Sequence, residues 1–283
     1  MNLEAKAAQI RLDTLMSIYK AGRGHTGSCM SVVDILVALY YGDLSGKPVM
    51  KFDPARPGSD TQDYLILSKG QAVPAQYAIL ADLGFFDKAE LDYLGKPGAL
   101  LQERPHVKIP GVAASMSAYG QGLSVALGLA LATAVDKRSN RVFTVLGDGE
   151  LQCGQVWEAA MAASQYKLNN LIAFVDNNKV QSDGMISTVM NVEPIQQKFE
   201  AFGWQVIQVL NGHNYDDLLD ALAKAFYVVR KPVCLWCHTV AGKGVEFAER
   251  KASYLAAVLS EGEMNDVIPK LKSLYDAYAG KEI

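Results

Sequence analysis

Two runs, Val142-Phe143-Thr144-Val145-Leu146 and Leu171-Ile172-Ala173-Phe174-Val175, are apolar or β-branched throughout and show no polar alternation. A strand with one wet face alternates, whereas a strand covered by helices on both faces does not. Such runs call for a sheet sandwiched between helices. Five strand segments stand out, each bounded by turn residues: Tyr64–Ser68, Arg141–Leu146, Asn170–Asp176, Trp204–Leu210 and Pro232–Thr239. Helical patterns lie around them, over Leu3–Lys20, Ser31–Tyr41, Pro74–Leu83, Gly120–Asp136, Gln155–Tyr166, Val192–Phe202 and Tyr215–Val229, with a last amphipathic region from Lys251 to Tyr278. Strands alternating with helices predict right-handed crossovers and a doubly wound parallel α/β sheet. No Pro/Gly/Ser linker divides the chain. The longest irregular stretch, Asp43 to Asp63, reads as an excursion, and one domain over residues 1–283 is expected.

Composition narrows the partners. Lys+Arg 27 against Asp+Glu 30 gives a net charge of −3, without the broadly basic field of a general nucleic-acid binder, so no nucleic acid is expected. The N-terminal MNLEAKAAQIRLDTLMSIYK spreads its charges throughout and reads as a helix rather than a signal peptide. No uncharged apolar run approaches the roughly 18 residues of a membrane span, so no membrane partner is expected either. Four cysteines in 283 residues make no disulfide framework, and a cytoplasmic location follows as the expectation.

In a parallel sheet, ligands bind beyond the carboxyl ends of the strands. The first of the two apolar runs is followed by Gly147-Asp148-Gly149 and then by a helical pattern. Glycines there let the backbone approach a phosphate, and a helix N-terminus favours anions. A carboxylate in the same turn repels a bare diphosphate, and a divalent cation between them resolves the conflict. Alone, the turn is equally well a strand–turn–helix connection capped by Asp148. The next strand ends in Asp176-Asn177-Asn178-Lys179, where Asn178 lies 178 − 148 = 30 positions after Asp148. One helix and an adjacent parallel strand fit that spacing, which brings both side chains to neighbouring strand ends. Carboxylate, amide and carbonyl oxygens with a diphosphate make a hard Mg²⁺ or Ca²⁺ site.

A GDG followed about thirty residues later by NN resembles the thiamine diphosphate fingerprint. The surrounding GDGELQCGQVWEAAMAASQYKLNNLIAFVDNNKVQSDG resembles transketolase, as do KAGRGHTGSCMSVVDILVALYY, DYLILSKGQAVPAQYAILADLGFF, PGVAASMSAYGQGLSVALGLALA and TVAGKGVEFAE. The resemblance covers nearly the whole chain, in the family's order. It corresponds to the N-terminal half of a transketolase, as in enzymes split into two subunits. It implies a thiamine diphosphate-binding fold with Mg²⁺ (or Ca²⁺) on Asp148, Asn178 and the backbone carbonyl of Val180. Cofactor contacts are implied at Gly147, Gly149 and Asn178, with Gln71, Ser117 and Tyr119 at pocket-lining positions. His25, in GRGHTGS, matches a family histidine near the reacting carbon, where an imidazole can shuttle protons in both directions. The implied activity transfers a two-carbon ketol unit from a ketose donor to an aldehyde acceptor. The glutamate that activates the cofactor belongs to a separate pyrimidine-binding domain, so a separate C-terminal subunit in an α2β2 assembly is implied.

Departures from the family pattern gather near the expected site. Gln71 stands where S-x-G-H-A has histidine, and it cannot carry charge near neutral pH. Arg104, in Glu103-Arg104-Pro105, falls on the histidine of a G-H-P motif. Ser117 and Tyr119 replace a glycine and a leucine, Cys153 replaces a glutamate that links the two sites of the dimer, and a further histidine falls near Leu255. Replaced polar groups change discrimination strongly, so a specialised donor or acceptor is expected. Three rivals remain. Cys234-Leu235-Trp236-Cys237-His238 matches C-x-x-C-H, but inside a predicted buried strand. A dinucleotide-binding fold lacks its G-x-G-x-x-G. A non-catalytic scaffold that keeps the fold is the rival from another class.

Overall fold

A computed structural model describes residues 2–280. Met1 and residues 281–283, the ends of the expected domain span, lie outside the described residues. Five strands form one parallel sheet: β1 (Tyr64–Leu67), β2 (Val142–Gly147), β3 (Leu171–Asn177), β6 (Gln205–Val209) and β7 (Val233–His238), in the order β1-β2-β3-β7-β6. All five expected segments are strands of this sheet. A two-residue antiparallel hairpin, β4 (Val180–Gln181) with β5 (Gly184–Met185), follows β3 and was not expected.

The alternation of side chains across the pleat explains the unbroken apolar runs. Phe143, Val145, Ile172 and Phe174 enter one core, while Val142, Leu146, Leu171, Ala173 and Val175 enter the other. The first core lies under α1 (Leu3–Ala21), α2 (Thr26–Tyr41), α3 (Val73–Asp82), α8 (Tyr215–Phe226) and α9 (Glu261–Ala279). The second lies under α4 (Gly122–Val135), α5 (Gly154–Gln165) and α7 (Ile195–Ala201), and the short α6 spans Ile186–Val189. Cys234 and Cys237 fall in opposite cores, both buried and free, so the C-x-x-C-H run presents its two thiols to opposite faces of β7.

Several boundaries differ from the sequence expectation, three of them instructively. Helix α2 starts at Thr26 rather than Ser31, because its first turn is laid under the segment after β7: Thr26 N–H donates to Ala257 O at 3.2 Å and Ser28 N–H to Leu255 O at 3.3 Å. Gly27 permits that crossing, since a Cβ there would lie 2.9 Å from Leu255 Cα and Tyr254 O. The pattern at Val192–Phe202 becomes helical only from Ile195, after Pro194. The Lys251–Tyr278 region divides into a 3₁₀ turn at Ala252–Tyr254 and helix α9, which opens on a Ser260/Glu263 capping box. Helix α2 is buried on all sides between the sheet and its neighbours, as an apolar helix must be. Its one charge, Asp34, is bridged by Arg11 from α1, by His213 from the β6–α8 connection and by Tyr215 at the start of α8.

Candidate cofactor site

The carboxyl ends of β1, β2 and β3, with the segment after β7, surround a cleft of about 280 Å³. Gly147, Asp148, Gly149, Asn178, Val180, Gln71 and Tyr119 all line it. The parallel register sets Gly147 opposite Asp176, so the turns after β2 and β3 lie side by side. Of the expected site residues, His25 and Ser117 are not in the lining. Ser117 is exposed on the loop before α4, and half-buried His25 precedes the first turn of α2, one turn before the lining residue Ser28.

Asp148 does not cap α5. It heads a 3₁₀ turn, Gly149–Gln152, that intervenes before the helix. Its Oδ1 accepts from Gly149 N–H at 2.9 Å and its Oδ2 from Lys179 N–H at 2.6 Å. With its amide oriented by its neighbours, Asn177 donates to the same Oδ2 at 2.9 Å. Burial, and then the nearby Asp176, push the Asp148 carboxyl up to about 7. Asn178 turns its Nδ2 onto Ser31 Oγ at 3.2 Å and accepts from Val180 N–H at Oδ1, 3.0 Å away.

Sequence reasoning missed the groups beneath this surface. Lys69, 2% exposed, lines the cleft and pairs with the fully buried Asp176, which also accepts from Ser31 at 2.7 Å and from Thr239. Lys69 holds Asp176 below the usual carboxylate range against the opposing effect of burial. Buried Glu150 ties three loops together, accepting from Ser68, from Gly120 N–H at 2.8 Å and from Gly147 N–H at 3.1 Å. The available signal was a charge at a strand end: Lys69 just after β1, and Glu150 directly after the GDG turn.

The residues present fit a metal-bound diphosphate. The donors are hard oxygens, and among the described residues no cluster of His, Cys, Asp and Glu suits a softer metal. Gly147 has an ordinary backbone φ, and a Cβ there would meet only Lys69 Cβ, at 3.9 Å. Among the described residues no close neighbour requires glycine at that position, and the open space would let a ligand lie on the backbone. The Gln71 side chain makes no hydrogen bond within the described residues, and its Oε1 is buried without a partner. The Lys69 ammonium, paired with Asp176, also lies on the wall. His25 also makes no side-chain hydrogen bond within the described residues; burial, then Arg104, lower its pKa and favour the neutral ring. Leu255 and Cys153 line the cleft with Gln71, so three of the expected replacements of polar groups fall on its wall, whereas Arg104 is not among its lining residues.

The family model described as transketolase, thiamine diphosphate binding domain, matches residues 3–275. The 6-deoxy-6-sulfo-D-fructose transketolase subunit SqwG of Clostridium sp. (strain MSTE9) is 39% identical over 273 residues, which is 96% of this chain and 97% of that one. An apulose-4-phosphate transketolase subunit of Phocaeicola vulgatus is 36% identical over 252 residues, 89% of this chain and 87% of that one. The solved transketolase of Campylobacter jejuni superposes with a TM-score of 0.88 at 28% identity, covering 98% of this chain but only 43% of its own. A family model that spans nearly the whole chain, and relatives of 36–39% identity covered over most of their own length, show that this chain belongs to the transketolase thiamine diphosphate-binding family.

Proposed function

We propose that the chain binds thiamine diphosphate and Mg²⁺ in the cleft at the ends of β2 and β3, and completes a ketol-transferring active site with a separate C-terminal subunit. The observation that carries this reading is the convergence of Asp148, Asn178 and Val180 on one cleft floored by Gly147 and Gly149. Asp148 Oδ, Asn178 Oδ1 and the Val180 carbonyl would hold the cation; Gly147 and Gly149 would admit the diphosphate, with Lys69 and Gln71 beside it. When bound, thiamine diphosphate supplies the carbon nucleophile that attacks a ketose carbonyl. This chain fixes where that nucleophile stands and what surrounds it. His25, neutral near pH 7, would take and return a substrate hydroxyl proton at a ring nitrogen. Tyr119, 52% exposed at the cleft, and Ser117 would face the joining subunit or the substrate rather than the protein's own core.

We read residues 1–283 as a single domain and the assembly as α2β2. Four free cysteines, three of them buried, support a reducing, cytoplasmic setting. Among the described residues no helix is long and apolar enough to cross a membrane. Gln71, Arg104, Leu255 and Cys153 support a donor or acceptor different from that of an ordinary transketolase.

The test combines the chain with its cognate C-terminal subunit. The isolated chain should be inactive, and the pair should bind thiamine diphosphate only with Mg²⁺ present and transfer a ketol unit. Failure of the assembled pair to bind the cofactor overturns the reading and favours the scaffold.

A further inference from the structure

We propose that Arg104 is a specificity-determining residue that reads an anionic group on the substrate, at a rim it forms with His25 and Gln71. The inference rests on the ketol-transfer reading and deepens it by naming a substrate class.

The loop carrying Arg104 is fixed against the cleft wall. Tyr77 donates its hydroxyl to Arg104 O at 3.0 Å, and Met116 N–H donates to Pro105 O at 3.1 Å. The Arg104 stem lies on the β1–α3 turn: a Cβ added at Gly70 would stand 3.4 Å from Arg104 Cδ. Gly70 sits between Lys69 and Gln71, both of which line the cleft. The first turn of α2, which His25 precedes, packs on the same β1–α3 turn, with Cys29 Sγ 3.8 Å from Gln71 O.

The guanidinium has no carboxylate partner among the described residues. Its one hydrogen bond among the described residues goes to Glu103 O at 3.3 Å. The adjacent Glu103 carboxylate is already paired with Arg23 at 2.8 Å. Three polar groups from three separate segments therefore meet at one rim without side-chain partners among the described residues: the Arg104 fork, the His25 ring and the Gln71 amide. Arg104 cannot replace a histidine as acid or base, because guanidinium does not give up its proton near neutral pH. What it offers instead is a planar fork suited to a carboxylate, phosphate or sulfonate.

Two sources carry such an anion: a phosphate or sulfonate on the sugar's far end, or a carboxylate beside the reacting carbonyl, as in a 2-oxo acid. The experiment uses the two-subunit complex loaded with thiamine diphosphate and Mg²⁺. Donors are D-fructose 6-phosphate, its uncharged counterpart D-fructose, and hydroxypyruvate; glyceraldehyde is the acceptor. Arg104→Gln should raise KM for the recognised anionic donor by about 10- to 100-fold, and at least tenfold more than for D-fructose. Arg104→Lys, which keeps charge but loses the fork, should fall between. The phosphate arm responding assigns the far-end anion, and the hydroxypyruvate arm assigns the carboxylate. Binding of inorganic sulfate to the complex, titrated by calorimetry at constant ionic strength, should weaken at least tenfold in Arg104→Gln. Equal losses on charged and uncharged donors, or sulfate binding absent from the parent or unchanged by the substitution, overturn the proposal. A complex that binds cofactor and sulfate but transfers no ketol unit refutes the ketol-transfer reading instead, and the sulfate titration then decides the anion site alone.

Discussion

Asn178 gives its amide nitrogen to Ser31: Nδ2 donates to the buried hydroxyl at 3.2 Å, while Oδ1 accepts from Val180 N–H at 3.0 Å and keeps a second lone pair for the cleft. Ser31 in turn donates to Asp176 at 2.7 Å, so an oxygen donor after β3 is aimed by a residue on α2. Groups that orient a metal ligand often matter nearly as much as the ligand. Ser31→Ala should weaken Mg²⁺-dependent cofactor binding about tenfold, read by titrating Mg²⁺ against bound thiamine diphosphate. An unchanged Mg²⁺ midpoint would mean that Asn178 is held by its backbone alone.

Asp148→Asn separates binding from stability. Asp148 holds a raised pKa in the metal-free fold, so above the ordinary carboxylate value its charge works against folding, and removing that charge relieves the cost. The metal-free variant at pH 8 should melt at or above the parent's temperature, while Mg²⁺-dependent cofactor binding falls at least about 100-fold, the loss of a charged ligand from a hard-ion site. A clear drop in Tm at pH 8 would show instead that the Gly149 and Lys179 N–H bonds depend on the carboxylate's charge.

The same group sets a pH dependence. In the metal-free fold Asp148 retains a proton up to about pH 7 that the unfolded chain releases near 3.8. Its contribution to metal-free stability is therefore fullest below that lower value and is lost as the pH rises through about 7. Cation binding must displace the proton, so affinity for Mg²⁺ should fall as pH drops from 8 to 6. Calorimetry in two buffers of different ionisation enthalpy should detect proton release on binding at pH 6.5 and little at pH 8.5.

Glu150 serves the turn rather than the chemistry. Glu150→Ala strands the Gly120 and Gly147 N–H groups and should cost about 2–5 kcal/mol, measured by urea unfolding. Cofactor binding by the surviving folded fraction should also weaken, because Gly147 loses its anchor. A loss under 1 kcal/mol would show that solvent replaces the carboxylate freely.

Asp34 is the acid-sensitive point of the core. Arg11 and His213 hold its pKa below the ordinary 3.8, although burial opposes them. The stabilisation from its charge is thus complete above about pH 4 and is lost as pH falls through the depressed value. Asp34→Asn should cost about 3–5 kcal/mol at pH 7 and flatten the decline of stability below pH 4. Parallel stability curves for parent and variant across pH 2–5 would assign acid unfolding to other carboxylates.

Much of this site was legible because its signals are local. The turn after a buried strand must lie at the sheet's carboxyl edge, so Asp148 and Asn178 were readable from their own neighbours. Lys69, Glu150 and Ser31 were not, since each is defined by a partner far along the chain. Lys69 meets Asp176 across 107 positions, and Ser31 meets it across 145. Ser117 shows the converse: its place in a motif suggested the pocket wall, yet the loop before α4 leaves it exposed.

By itself, then, the sequence determined the layered parallel sheet, the family, and the two strand ends that carry the oxygen donors. Apolar periodicity and turn chemistry act over a few residues and need no partner to be read. Only the tertiary structure decided which charges are neutralised and which are not. Asp176 received Lys69, Asp34 received Arg11, and Asp148 and Arg104 were left without ionic partners among the described residues. Burial and through-space charge set that difference, and neither quantity exists until distant segments have packed together.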